Sequence, residues 1–203
     1  MSKTAHTRVP VHGHIANRWS PRAFQTRPVE REKIIALMEA ARWAPSSRNL
    51  QPWHFILANS NQPDDHARLA GCLSTNNRRW AVRAPLLILV VAQVEVEGGH
   101  NRFAWYDTGQ AVANLAVQAM DSGLMLRQMG GFDREKARVI YRIPATHEPV
   151  CVLAIGYRAE PDVLPEELRD RESGPRTRKP LSEFVFSGTW GESSEVLGEP
   201  ASV

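Results

Sequence analysis

The 203-residue sequence has little of what most often declares a function. It carries two cysteines, Cys72 and Cys151. That excludes a disulfide framework and leaves each thiol as a small buried hydrophobe of a reduced compartment. No apolar run approaches the roughly 20 residues of a membrane-spanning helix; the longest, residues 85–92, stops at eight. The opening MSKTAHTR lacks the apolar segment of a secretory signal, so the chain is expected in the cytoplasm, away from membranes. There is no Gly-x-Gly-x-x-Gly after a strand, no P-loop, no His-Glu-x-x-His, no Cys-x-x-Cys and no Gly-x-Ser-x-Gly. Dinucleotide-fingerprint, zinc-hydrolase and serine-esterase chemistry lose their usual supports.

What is present is an ordinary globular balance, 42% hydrophobic and 23% charged, long enough for one core. The net charge of +3 is spread along the chain rather than gathered into a block, which argues against a nucleic-acid partner. Residues 1–16 lack periodicity and are read as a mobile arm. Their His12-x-His14 pair has no third ligand at useful spacing, and no metal is expected.

Helical spacing puts Ile34, Leu37, Met38 and Ala41 on one face of a segment opened by Pro28 and closed at Pro45. Further helices are expected over residues 64–73, 102–122 and 133–141, the last capped by Asp133. Strands are expected over 55–58, 86–91 and 150–155, the second covered on both faces. Small residues along 102–122 (Ala104, Gly109, Ala111, Ala113, Ala116, Ala119) permit close approach, so that helix is expected to be central and to pack against a second copy of itself. Gly123 ends it. Beyond Gly156 the density of Pro, Glu and Arg predicts an extended arm rather than a packed element. The pattern is α+β, and its long irregular ends are of the kind that wrap a partner subunit.

Arg18, Ser20 and Arg22 stand at alternate positions, so in an extended segment all three face one way and can address one phosphate. Arg176 and Arg178 repeat the alternation near the other end. The alternative is solvated surface charge.

With these residues in view, the sequence resembles a known family. Arg18-x-Ser20-x-Arg22-x-Phe24, Ala44-Pro45-Ser46-Ser47-x-Asn49-x-Gln51-Pro52-Trp53-x-Phe55, Asp107-x-Gly109-x-Ala111-x-x-Asn114-Leu115, Gly130-Gly131-Phe132-Asp133 and Arg176-x-Arg178 together look like the FMN-dependent nitroreductases, in that family's order. The likeness covers residues 17–190, with 157–190 as the crossing arm and 191–203 as a tail.

The resemblance implies a nitroreductase-like α+β fold with a central mixed sheet wrapped by helices. It also implies an intertwined homodimer with FMN sites at the interface. Arg18, Trp19, Ser20, Arg22, Arg176 and Arg178 would hold the phosphate and ribityl chain, with Arg22 near the ring's N1 edge. Pro45, Ser46, Ser47 and Asn49 would come from the partner subunit, and Asn77 would meet the pyrimidine edge. Gln128, Met129, Gly130 and Gly131 would run under the ring, a backbone N–H towards N5. Trp80 stands where some members carry a lysine, leaving charge stabilisation to Arg22, Arg78 or Arg79. Trp80, Phe103 and Trp105 are candidates for stacking an aromatic substrate, while Trp53 and Phe55 are expected in the core. His54 and His147 are weighed as proton donors against a structural role, and Asp107 is expected to be a hydrogen-bonding residue.

The implied activity is an NAD(P)H-dependent FMN oxidoreductase. NADH or NADPH would deliver hydride to flavin N5, and a small-molecule acceptor (nitroaromatic, quinone or activated alkene) would take two electrons in ping-pong order. No side-chain acid or base is needed. A specialised dehalogenating, dehydrogenating or flavin-consuming member, an FMN carrier, or a phosphate- or RNA-binding module are the alternatives.

Overall fold

A computed structural model of the chain describes residues 3–198; the last residues of the predicted tail, 199–203, lie outside the described range. The fold is organised by β2 (Leu86–Gln93), seven of whose eight residues are buried. A strand with apolar side chains at every position can only sit inside a sheet covered on both faces, because successive residues point opposite ways. Leu87, Leu89 and Val91 enter one core with Phe24, Leu73 and Trp80. Leu86, Ile88 and Val90 enter the other with Leu37, Ala41, Leu115 and Ala119. Each fully buried Leu or Ile contributes about 1.5–3 kcal/mol, so this strand anchors both layers.

β1 (Trp53–Asn59) pairs with β2 on one side, β6 (His147–Gly156) on the other, and β5 (Met125–Met129) pairs with the outer edge of β6. The order is β1-β2-β6-β5 and every pairing is antiparallel. The expected mixed sheet is therefore corrected, among the described residues, to an antiparallel one. A single long crossover helix would have returned the chain parallel. Here the β1–β2 connection instead folds into two short helices, α3 (Pro63–Ala70) and α4 (Thr75–Ala81), and brings the chain back reversed. Gly156 ends β6 where a Cβ would lie 2.6 Å from Pro85 Cδ, a contact only glycine permits.

α2 (Arg31–Arg42) and α5 (Ala104–Asp121) cover one face of the sheet. They are tied by Asn114 Nδ2 to the Ala40 carbonyl at 3.2 Å and Lys33 Nζ to the Ser122 carbonyl at 2.8 Å. Gly123, at φ +71°, stops α5 as expected. α6 (Arg134–Tyr141) is capped by Asp133, whose carboxylate accepts from Lys136 N. A two-stranded ribbon, β3 (Glu95–Val96) and β4 (Gly99–His100), precedes α5. No helix among the described residues is long and apolar enough to cross a membrane.

The two ends depart from expectation. Residues 13–17 form a short helix, α1 (Gly13–Asn17), and the segment before it is pinned: Ala5 N donates to Ala16 O at 2.9 Å and Thr4 Oγ1 to Asn17 at 2.8 Å. Beyond Gly156, α7 (Glu166–Ser173) is a packed helix. Its charge-rich sequence has little apolar periodicity, and what fastens it is one buried polar residue, Glu172.

Candidate functional site

The alternation at Arg18, Ser20 and Arg22 has the predicted effect because the segment is held extended. Gln25 N donates to Tyr157 O at 2.8 Å, Ala159 N donates to Ala23 O at 3.0 Å, and Phe24 bridges Arg158. Glu172 completes the attachment. Its carboxylate is 2% exposed and accepts from Arg22 N at 2.8 and 3.0 Å and from Ala23 N at 3.0 Å. Arg22 Nη1 stands 3.8 Å from the same group.

Arg18, Trp19, Ser20 and Arg22 then form one wall of a cavity of about 310 Å³, whose other walls include Arg176, Thr177 and Arg178. The convergence of the two ends of the chain, expected from their matching alternation, is therefore realised within one subunit. Sequence reasoning missed three more cations of the lining: Lys3, Arg127 and Arg171. Arg127 lies on β5, donates to the Ser20 carbonyl and stacks 5.4 Å from the Trp80 ring. Its signal was available: one guanidinium in the strand Met-Leu-Arg-Gln-Met, on the side of buried Met125 and Met129. Lys3 and Arg171 carry no local signal.

Seven cations line this space, and no carboxylate is among the lining residues. The cost is visible in the proton affinities. Burial, then Arg22, hold Arg127 down to about 10, against an opposing pull from Glu172. Burial followed by Arg176 and Arg178 lowers Arg18, and burial followed by Arg178 lowers Arg176. A cluster of partly desolvated like charges is stabilised by an entering anion, and forked guanidinium donors match the oxygens of a phosphate. The donor set fits a phosphate dianion. Arg176 has a second duty, since its Nη1 donates to the Lys3 and Ala16 carbonyls at 2.5 and 2.6 Å.

A second group of expected residues also comes together. Ser74 N and Asn77 Nδ2 both donate to the Gly131 carbonyl at 3.0 Å. A Cβ on Gly131 would lie 2.8 Å from Asn77 Nδ2 and 3.0 Å from Ser74 Oγ, so a larger residue there would displace the Asn77 amide or the Ser74 hydroxyl. Gln128 and Gly130 are exposed, whereas Met129 is buried.

Pro45, Ser46, Ser47 and Asn49 do not line the arginine cavity. They form an exposed turn with residues 47–49 as one 3-10 helical turn, Ser47 N donating to Asp107 Oδ2 at 3.0 Å and Gln51 N to Ser46 Oγ at 3.0 Å. Arg48, Asn49 and Gln51 all have positive φ, 51°, 56° and 47°, a conformation that costs a non-glycine residue of order 1 kcal/mol. Buried Asp107 acts as the hydrogen-bonding residue expected of it.

Trp80 requires correction as a substrate-stacking residue. It is 2% exposed and packs in the core, its ring 6.4 Å from that of Phe24. A large aromatic on the inner side of a short helix maximises buried area there. Arg79, named beside it, pairs with Glu167 on α7. Phe103 and Trp105 are 42% and 44% exposed and stay accessible. Trp53 and Phe55 belong to the core as expected. His54 and His147 meet edge to face at 4.8 Å, away from the cavity lining, with burial followed by His54 lowering the His147 pKa.

This sheet and helix arrangement is that of an α+β oxidoreductase fold, and the sequence model of the Nitroreductase family matches residues 15–157. The chain belongs to the nitroreductase family. A crystal structure described as that of "the oxidoreductase containing FMN" superposes with a TM-score of 0.88 at 30% identity, covering 95% of this chain and 99% of that one. A putative NADH dehydrogenase/NAD(P)H nitroreductase of Methanothermobacter thermautotrophicus is 30% identical over 72% of this chain and 76% of its own. The 5,6-dimethylbenzimidazole synthase of Rhodospirillum rubrum is 26% identical over 71% and 80%.

Proposed function

We propose that this protein is an FMN-dependent oxidoreductase that takes reducing equivalents from NADH or NADPH and passes them to a small nitroaromatic, quinone or activated-alkene acceptor. The observation that carries the reading is the cavity of six arginines and Lys3 in a chain of this family. When bound, FMN would supply the redox chemistry by cycling a hydride equivalent at N5 between donor and acceptor in ping-pong order.

The chain's own residues bind and orient. Arg18, Arg22, Arg127 and Arg178 would neutralise the phosphate and Ser20 would hydrogen-bond to it, with Trp19 at the cavity wall, while Arg176 would divide its donors between ligand and N-terminal segment. The backbone of Gln128–Gly131 and the Asn77 amide would hold the ring's polar edge. Phe103 and Trp105, 42% and 44% exposed, would be available to stack an aromatic acceptor. None of these roles requires a side chain that exchanges protons.

A homodimer completes the site. Trp105, Tyr106 and Val117 lie exposed on α5, and a Cβ on Gly109 would touch nothing within 4 Å. An apolar helix face of that kind supports burial against a second copy. It would bring the partner's Pro45–Asn49 turn towards the flavin. A specialised activity is the second reading, favoured by the likeness to the dimethylbenzimidazole synthase.

The test is spectroscopic. The purified protein should be yellow, bleach anaerobically with NADH or NADPH, and recover its colour when a nitroaromatic or quinone is added. A colourless protein that takes up no FMN would overturn the proposal; bleaching without reoxidation by either acceptor would favour the specialised reading.

A further inference from the structure

The loop that follows β5 is held by the connection between α3 and α4. Leu73 and Phe132 form an antiparallel bridge, and Asp133 N donates to the Cys72 carbonyl at 2.8 Å. At the end of this seam stands the Gly131 carbonyl, which accepts twice, from Ser74 N and from Asn77 Nδ2, both at 3.0 Å. A carbonyl with two donors cannot turn without giving up both.

A peptide unit is planar, and in the trans form its C=O and N–H point opposite ways. Holding the Gly131 carbonyl therefore holds the Phe132 N–H of the same unit, which donates to Gly130 O at 3.2 Å. That bond sets the preceding unit in turn. With Gly130 O turned towards Phe132, the Gly131 N–H that shares its plane is aimed the other way, and it has no acceptor among the described residues. Asn77 spends one amide N–H on this arrangement and keeps its Oδ1 free.

We propose that Asn77 is a positioning residue: through the Gly131 carbonyl it aims the unpaired Gly131 N–H at N5 of the bound flavin, and does not act solely by touching the ring. The inference rests on the flavin reading above. A preset donor at N5 polarises the atom that receives the hydride, so its direction bears on the reaction as well as on binding.

The test uses 5-deaza-FMN, in which a C–H replaces N5 and no acceptor remains. Kd values of FMN and 5-deaza-FMN are measured by fluorescence titration for the full chain stripped of flavin and for Asn77→Ala, Asn77→Asp and Gly131→Ala. The wild-type protein should prefer FMN by roughly three- to tenfold, the scale of one neutral hydrogen bond. Asn77→Ala removes the donor, and Asn77→Asp sets an oxygen against the Gly131 carbonyl. Gly131→Ala drives the Asn77 amide away, since its Cβ would lie 2.8 Å from Nδ2. Each should bring the preference below about twofold. Inorganic phosphate, whose cavity is lined by neither residue, should bind all four proteins alike and so reports an intact fold. If Asn77 acts only by touching the ring, both flavins weaken equally and the ratio stays at its wild-type value, which would overturn the proposal. A wild-type ratio near one would overturn it too. A wild-type protein that binds neither flavin would instead overturn the flavin reading on which it stands.

Discussion

The arginine cavity and the Pro45–Asn49 turn were expected to serve one ligand, yet they are built in opposite ways. The cavity is closed within one chain: residues from both ends converge on it, and its like charges are held by buried Glu172 and by backbone carbonyls. The turn is open, with three residues at positive φ and one buried carboxylate, Asp107, fastening it from below. The contrast teaches that the two groups are held by different means. The charged group is preformed within the chain. The turn holds strained backbone at the surface, which in the proposed homodimer would meet the partner's flavin.

Three substitutions break or sharpen that contrast. The largest effect is expected from Glu172→Ala. It strips the Arg22 and Ala23 N–H groups of their acceptor and leaves the cations without a balancing charge, at a cost of roughly 3 kcal/mol in urea-induced unfolding. Inorganic phosphate should restore part of that loss by occupying the cavity, whereas equal destabilisation with and without phosphate would contradict the electrostatic account. Next is Asp107→Ala, expected to cost about 1–2 kcal/mol by freeing Ser47 N. It should weaken dimerisation in sedimentation equilibrium while leaving the affinity for inorganic phosphate intact. If phosphate affinity fell instead, the turn and the cavity would be one unit after all. The smallest effect belongs to Arg48→Gly, which should raise thermal stability by about 0.5–1 kcal/mol by relieving the φ of 51°. The same change should slow acceptor reduction if the turn's rigidity matters, and unchanged turnover would show that it does not.

How legible all this was depends on the range of the forces involved. β2 was readable because seven consecutive residues, 86–92, carry the signature of burial on both faces, and α5 because its length and the stop at Gly123 are local facts. α4 escaped notice because Thr-Asn-Asn-Arg-Arg-Trp-Ala has no apolar stripe; its Ser74 cap and one buried tryptophan suffice to form it. β5 escaped because Met-Leu-Arg-Gln-Met lacks the β-branched residues that mark strands. Trp80 was misplaced for a related reason, since an aromatic beside two arginines reads as surface until its helix is known to face the core.

The site divides along the same line. Alternating Arg18, Ser20 and Arg22 could be read from spacing alone. Lys3 joins them only through contacts with residues more than 160 positions away, which spacing cannot encode, whereas Arg127 left a local signal in its own strand. The turn was conspicuous in composition, but its strain at Arg48, Asn49 and Gln51 is a property of coordinates, not of residue type.

The cavity draws its cations from positions 3 to 22, from 127, and from 171 to 178. On a ribosome, which releases the chain from its N-terminus, the first of these must wait until Arg178 has been made before the wall can close. Cofactor loading is therefore a late event in the life of the molecule. A nascent chain stalled between β6 and α7 would have its four-stranded sheet but only Lys3, Arg18, Arg22 and Arg127 of the seven cations.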